Sequence, residues 1–209
     1  MKGLLLIGGG GHCKAAIDVI EAAGLAIAGV LERPARGFSE VLGYPVLGDD
    51  DALSSLVAQG HAALVTIGQI KSAAPRIRAF EAAKAAGAQI PCVVSPRAHV
   101  SRHAELKDGT LVLHGAVINA AAHVGLNVIV NSLALIEHDA EVGDHCHVAT
   151  GARVNGNVTL GAGCFIGSGA VLKNGITVGA GSVIGAGAVI LRDIPAGSFV
   201  PAHMKRPKA

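Results

Sequence analysis

The sequence has almost no aromatic residues and little charge. Its 209 residues include no Trp, one Tyr and four Phe, although 51% of the residues are hydrophobic. A hydrophobic core must therefore be built from Val, Ile, Leu and Ala, which favours an architecture of small, regularly repeated layers. The formal net charge of +2 supplies no basic surface of the kind that binds nucleic acid, so we expect no nucleic-acid partner.

The sequence also lacks paired cysteines and long apolar runs. Its four cysteines are widely spaced, with no CxxC pair, which is typical of reduced and buried thiols in a cytosolic protein. No segment approaches the roughly 18 apolar residues of a membrane-spanning helix, and the apolar run at 4–7 is too short for the core of a secretion signal. We therefore expect a cytoplasmic protein with no membrane contact.

Residues 1–90 alternate short aliphatic runs with alanine-rich segments. The aliphatic runs predict strands, and the alanine-rich segments predict helices. The predicted elements are strands at 3–8, 26–32 and 61–68 and helices at 12–24, 50–60 and 74–87. Strands that alternate with helices indicate βαβ crossovers, so we expect a Rossmann-like α/β domain with a small parallel sheet over residues 1–90.

Residues 91–209 follow a period of six. Every sixth residue from Val94 to Ile190 is aliphatic, and the residue four positions after each is mostly small. An α-helix has a period of 3.6 and a plain strand a period of two, so neither explains this pattern. The period predicts a β-solenoid in which each hexapeptide forms one flat side and three hexapeptides form a triangular coil. The aliphatic residues then stack inside the coils, and the small residues lie at the corners.

A run of four glycines, at 8–11, separates the first predicted strand from the first helix. Glycines at this place let the backbone approach a phosphate at the helix N-terminus, although the same residues also suit a tight turn. The GxGxxG pattern is broken by Cys13, so NAD binding is not indicated. His12 can donate a hydrogen bond to a phosphate or a sugar hydroxyl. Glu32, at the end of the second strand, is either a ribose-binding acid or a solvated one.

Three histidines and four acids are concentrated between Leu135 and Val148. The period of six directs His138, Asp139, His145 and His147 out of the coil. A neutral imidazole can accept a proton near pH 7, and a neighbouring carboxylate can orient it and stabilise the cation that forms. A catalytic pair and a polar surface pair both remain open at this point.

A metal site is not predicted in this cluster. Stacked ligands in such a solenoid should recur every coil, yet the positions one coil from His138 are Ala120 and Gly156. We therefore expect no metal requirement.

Two segments, "IGGGGH" at 7–12 and "VNSLALIEHDAEVGDHCHVATGARVNGNV" at 130–158, resemble the NeuD/PglD/PerB-like sugar acyltransferases of the hexapeptide-repeat superfamily. The resemblance implies that 91–209 form a left-handed parallel β-helix. It also implies a homotrimer that binds acetyl-CoA in the groove between the β-helices of two subunits, with active sites between subunits. The implied reaction is N-acetylation of a nucleotide-linked 4-amino-4,6-dideoxy sugar, with O-acetylation of sialic acid as the alternative. A third alternative is a non-catalytic scaffold whose polar cluster only forms the trimer contact.

The resemblance also implies roles for individual residues. It makes His138 the general base and Asp139 its orienting carboxylate. The implied acetyl-CoA contacts are Asn131, His147, Gly156, Ala186, Lys205 and Arg206. The implied nucleotide-sugar contacts, to which the spacing argument adds Glu32, are Gly10, Gly11, His12, Glu32 and Gly68. The segment "LERPARG" departs from the acidic pairs of uridine-nucleotide-binding members, which leaves the nucleotide undetermined.

Overall fold

The structure, a computed structural model, describes residues 2–33, 37 and 39–202. Its first part contains five strands and three α-helices, with a short 3-10 turn before the second helix. The strands are β1 (Leu4–Ile7), β2 (Ile27–Leu31), β3 (Glu40–Val41), β4 (Tyr44–Gly48) and β5 (Ala62–Val65). The helices are α1 (Gly11–Ala22), α2 (Leu53–Ala58) and α3 (Ala74–Ala85).

The five strands form one sheet in the order β3-β4-β2-β1-β5. Strand β1 is central and buried along its whole length, which explains its uninterrupted "LLLI" sequence. The expectation of a purely parallel sheet is wrong at one edge, where β3 and β4 form an antiparallel hairpin. Leu42 and Gly43 both have positive φ, as a two-residue hairpin turn requires. Pro45 inside β4 hid this strand, because proline is rare in strands except at edges.

Two hydrophobic clusters lie on opposite sides of this sheet. One packs α1 against Leu4 and Leu6, and the other packs α2 and α3 against Leu5 and Ile7. The three predicted helices and three predicted strands are therefore present, with their ends shifted by a few residues.

From Val93 to Val200 the chain consists of two-residue strands joined by turns, wound into three parallel sheets. As far as β22, neighbouring strands of a sheet are 18 residues apart, so that Val117, Leu135 and Arg153 lie side by side. The last strand, β23, pairs at a spacing of 16 residues, Val183 with Phe199. The β-solenoid is therefore confirmed, with three hexapeptides in each coil, and the fold class is the predicted α/β domain followed by a left-handed parallel β-helix. The strands are β6 (Val93–Val94), β7 (His99–Val100), β8 (Glu105–Leu106), β9 (Leu111–Val112), β10 (Val117–Ile118), β11 (His123–Val124), β12 (Ile129–Val130), β13 (Leu135–Ile136), β14 (Glu141–Val142), β15 (His147–Val148), β16 (Arg153–Val154), β17 (Thr159–Leu160), β18 (Phe165–Ile166), β19 (Val171–Leu172), β20 (Thr177–Val178), β21 (Val183–Ile184), β22 (Val189–Ile190) and β23 (Phe199–Val200).

The core of the β-helix is built as the period of six predicts. Every sixth residue from Val112 to Ile190 belongs to one buried cluster, together with most of the small residues, including Cys146 and Cys164. Val94, the first residue of the series, is an exception with 36% exposure.

The corners of the β-helix carry left-handed backbone. From Thr110 to Ala188, the residue immediately before each small residue has a positive φ, and from Gly163 onward this residue is glycine. Side chains other than glycine occupy the position at Ala121, Asn127, Leu133, Asp139, His145 and Asn157, with φ between 52° and 60°. A residue other than glycine pays about 1 kcal/mol or more for this conformation. Corners in the middle coils therefore carry side chains at positions where the backbone is strained.

The sheet that contains β6, β9 and β12 is covered by the N-terminal domain. Val93, Leu111 and Ile129 point out of the coils and are buried in the same cluster as α1. The α/β domain and the β-helix thus share a hydrophobic interface. Within the described part of the chain, no helix is long and apolar enough to cross a membrane.

Candidate active site

His138 and Asp139 occupy the turn between β13 and β14. The Nδ1 of His138 lies 2.7 Å from the Oδ2 of Asp139, so Nδ1 carries the hydrogen that it donates to the carboxylate. The hydrogen bond that His138 donates to Asp139 raises the pKa of His138 above its usual value of 6.5. Both side chains are well exposed, at 59% and 60%. The pair therefore presents an Nε2 that has no hydrogen-bond partner in the described part of the chain, on an imidazole whose orientation is fixed.

A second acid supports His138 from the preceding position. The Oε2 of Glu137 accepts hydrogen bonds from the backbone N–H of His138 at 3.2 Å and from the Nδ2 of Asn119 at 2.9 Å. Sequence reasoning missed this contact. The signal was present, because Asn119 precedes Glu137 by one coil, or 18 residues.

Gly156 lies one coil above His138 and makes room for its ring. A Cβ at Gly156 would stand 2.8 Å from both Cε1 and Nε2 of His138. Any side chain at this position would displace the imidazole. The implied contact residue Gly156 is therefore brought directly to the candidate base.

His147 points out of the β-helix as predicted, but the N-terminal domain covers it. Its Nδ1 donates to the carbonyl of Gln69 at 3.1 Å, and its Nε2 accepts from the Nδ2 of Asn131 at 3.2 Å. The side chain is 6% exposed, and burial lowers its pKa to about 3, with smaller effects from His12 and Arg76. Two of the implied acetyl-CoA contacts, Asn131 and His147, are therefore brought together within one chain.

The glycine loop brings His12 to the same interface. Gly10 caps α1, Gly11 is its first residue, and the ring of His12 lies 5.8 Å from that of His147. Burial, and then the charge of Arg76, lowers the pKa of His12 to about 4. The Nε2 of His12 is buried and has no hydrogen-bond partner among the residues that the structure describes.

Gly68 also lies beside His12. A Cβ at Gly68 would stand 3.3 Å from the Cβ of His12. Gly10, Gly11, His12 and Gly68 are therefore brought together at the carboxyl ends of β1 and β5, where ligands bind to open α/β sheets.

Glu32 lies against the glycine loop. Its Oε2 accepts a hydrogen bond from the backbone N–H of Gly9 at 2.7 Å, and its Oε1 accepts from that of Arg33 at 2.9 Å. The acid is therefore more than a solvated strand end, because it holds the loop close to the end of β2.

Arg76 connects α3 to the corners of the β-helix, and sequence reasoning missed it. Its guanidinium donates to the carbonyl and Oδ1 of Asn127, to the carbonyl of His145 and to the Oε1 of Gln69. The side chain is 1% exposed, and burial lowers its pKa to about 10. No periodicity marks this arginine, since its partners lie in distant parts of the chain.

The other implied residues are spread over the molecule. Ala186 is exposed at the corner above Ser168, which is a different corner of the triangle from that of His138 and Gly156. Lys205 and Arg206 lie outside the described residues. In the ranges 2–33 and 39–202, no group of three or more His, Cys, Asp or Glu side chains is arranged to hold a metal ion.

Comparisons with known proteins identify the family. Residues 3–79 match the family described as PglD N-terminal domain, and residues 157–192 match the family of bacterial transferase hexapeptides. Perosamine N-acetyltransferase PerB from Caulobacter crescentus, solved with CoA and GDP-perosamine, is 34% identical, with a TM-score of 0.89 over 95% of this chain and 93% of that one. The chain belongs to the PerB-like sugar acetyltransferases of the hexapeptide-repeat superfamily. The family and the enzyme class predicted from the sequence are thus confirmed.

Two further structures are similar to this chain, one in sequence and fold and one in fold alone. The acetyltransferase domain of PglB from Neisseria gonorrhoeae, solved with acetyl coenzyme A, is 34% identical over 96% of both chains, with a TM-score of 0.87. WeeI from Acinetobacter baumannii, at 24% identity and a TM-score of 0.83, shares the fold over 94% of both chains. Structures of PerB with one histidine replaced by asparagine or by alanine also contain CoA and GDP-perosamine. No match to a curated protein sequence was found.

Proposed function

We propose that this enzyme transfers the acetyl group of acetyl-CoA to the amino group of a nucleotide-linked 4-amino-4,6-dideoxy sugar, as a step in glycan biosynthesis. The observation that carries the proposal is the His138–Asp139 pair, whose Nε2 lies beside Gly156 and has no hydrogen-bond partner among the described residues. PerB contains CoA and an amino-sugar nucleotide together, which is the substrate pair that this reaction needs. The unpaired cysteines favour a cytoplasmic location.

His138 acts as the general base. The amine nitrogen attacks the thioester carbonyl carbon while Nε2 accepts the amine proton. Asp139 keeps Nδ1 protonated, so that Nε2 is the acceptor, and it stabilises the imidazolium that forms. When the tetrahedral intermediate collapses, the C–S bond breaks and the proton passes to the sulfur, which gives the amide and free CoA. No covalent acyl-enzyme is needed, and much of the rate comes from holding both substrates together.

The nucleotide-sugar binds to the N-terminal domain, over residues 1–90. The backbone of Gly10 and Gly11 at the start of α1 receives the phosphates, and Gly68 leaves room beside His12. His12 is held neutral by burial, and its unpaired Nε2 is available to a sugar group. Glu32 keeps the glycine loop in place and reaches the ribose from the end of β2.

Acetyl-CoA binds along the β-helix, over residues 91–209. Gly156 provides the surface under the thioester, and Ala186 provides a small side chain along the groove. Asn131 and His147 line the groove near the N-terminal domain, and the basic residues Lys205 and Arg206 meet the phosphates of CoA.

The complete active site requires more than one chain. His138 and Gly156 lie at the corner between the sheets of β13 and β14, whereas His147 lies on the third sheet, where the N-terminal domain covers it with His12 of α1. A second copy of the chain, whose corner with His138 and Gly156 packs against the face that carries His147, brings the two groups of residues into one groove. We therefore propose a homotrimer, which supplies three equivalent sites.

The test is release of free CoA thiol from acetyl-CoA with a panel of nucleotide-linked 4-amino sugars, with sialic acid as the rival acceptor. We expect turnover with an amino-sugar nucleotide and a product heavier by one acetyl group. His138→Ala should lower kcat by about 10²–10⁴-fold while CoA still binds. Turnover on sialic acid alone would replace N-acetylation with O-acetylation. Absence of turnover on every acceptor, or an unchanged rate in His138→Ala, would refute the proposal.

A further inference from the structure

The corner that carries His138 continues upward through the β-helix. Because Ile136, Val154 and Leu172 lie side by side in one sheet, the residues two positions after each of them stack in successive coils. These residues are His138, Gly156 and Asn174. The spacing between coils is about 4.8 Å, as in any sheet.

His138 and Asn174 approach the same space from the coils below and above. A Cβ on Gly156 would stand 2.8 Å from the Nε2 of His138 and 3.2 Å from the Nδ2 of Asn174. Both nitrogens therefore border the opening that the absent side chain of Gly156 leaves. One substrate group bound over Gly156 can contact both of them.

The amide of Asn174 is not engaged elsewhere. The side chain is exposed, and across residues 2–33, 37 and 39–202 it makes no hydrogen bond. The asparagines Asn119, Asn127 and Asn131, in contrast, each hydrogen-bond another side chain. A free N–H donor beside a free Nε2 acceptor is an arrangement suited to a reacting group rather than to the stability of the coil.

We propose that Asn174 is a catalytic residue, whose side-chain amide donates a hydrogen bond to the carbonyl oxygen of the thioester bound over Gly156. This inference rests on the proposed acetyl transfer. As the amine nitrogen forms its bond to the carbonyl carbon, the π electron pair moves to the oxygen, and the Nδ2–H of Asn174 stabilises that negative charge. The Nε2 of His138 accepts the amine proton in the same step, so Asn174 and His138 act on opposite charges of one transition state.

The test compares wild type, Asn174→Ala and Asn174→Gln with the matched control Thr177→Ala. Thr177 is an exposed polar residue of the same coil, three positions further on and outside the corner. We expect Asn174→Ala to lower kcat by about 10²-fold or more, as for loss of one oxyanion donor, with the KM for acetyl-CoA changed by less than about threefold. Asn174→Gln should recover part of the rate, and Thr177→Ala should behave as wild type. All four proteins should have the same melting temperature.

The dependence of kcat on pH separates this role from an indirect one. If Asn174 acts on the oxyanion, the acidic limb of the profile keeps its midpoint in Asn174→Ala, because His138 still provides the proton acceptor. A shifted midpoint, a change confined to KM, or an unchanged kcat would overturn the assignment. In each of these outcomes wild type still turns over acetyl-CoA, whereas failure of the proposed function would leave wild type itself inactive.

Discussion

Burial of His147 should make the folded protein sensitive to acid well before its carboxylates are protonated. The pKa of His147 is lowered from 6.5 to about 3 in the folded state. Between these values the unfolded chain binds a proton that the folded chain does not, so stability is complete above pH 6.5 and declines as the pH falls towards 3. Lowering the pH from 7.5 to 5 should therefore remove about 2 kcal/mol through this residue alone.

His147→Asn isolates this contribution. The asparagine amide can still donate to the carbonyl of Gln69, but it cannot take up a proton. Urea unfolding at pH 7.5, 6 and 5, at one protein concentration, should show wild type losing about 2 kcal/mol more than the variant. His138→Asn is the matched control, since it removes an exposed histidine and should not flatten the pH dependence. Equal losses in wild type and His147→Asn would refute the idea that burial holds His147 neutral.

Two further predictions concern Asp139, beside the candidate base, and Arg76, between the N-terminal domain and the β-helix. Asp139→Asn should lower kcat about 10-fold or more. It should also move the acidic limb of the pH–rate profile to lower pH, because the hydrogen bond that raises the pKa of His138 is weakened. An acidic limb that stays in place would contradict this prediction. Arg76→Met should lower the free energy of unfolding, measured in urea, by about 1–3 kcal/mol, because the buried carbonyls of Asn127 and His145 lose their donor. An unchanged midpoint of urea unfolding would contradict that reasoning.

The period of six made the β-helix predictable, because each coil repeats the same burial at the same positions. Counting from Ile136 was enough to direct His138 and Asp139 to the outside of a corner. The burial of His147 could not be read in the same way, since the period directs it outward and only the N-terminal domain covers it. The contacts of Arg76 and of the Gln69 carbonyl were missed for the same reason, because they join the N-terminal domain to the β-helix across a long sequence separation.

The hairpin of β3 and β4 was missed for a local reason. Its strands are short, and Pro45 argues against a strand unless the segment lies at an edge. The glycine loop was recognised from its position between a strand and a helix. Its contact with Glu32 shows that this acid holds the loop and is more than a solvated strand end, while ribose binding remains a proposal for the same side chain.

Because residues 18 positions apart lie side by side in neighbouring coils, the number of a residue gives its position in the β-helix. From Val93 to Ile190, the remainder after division by 18 gives the corner or face of a residue, and the quotient gives its height in steps of about 4.8 Å. Insertion of one complete coil above Gly156 would therefore lengthen the groove by one step without rotating any side chain about the axis. The distance between the acetyl end and the phosphate end of a bound carrier could thus be adjusted in fixed increments, with His138 left in place.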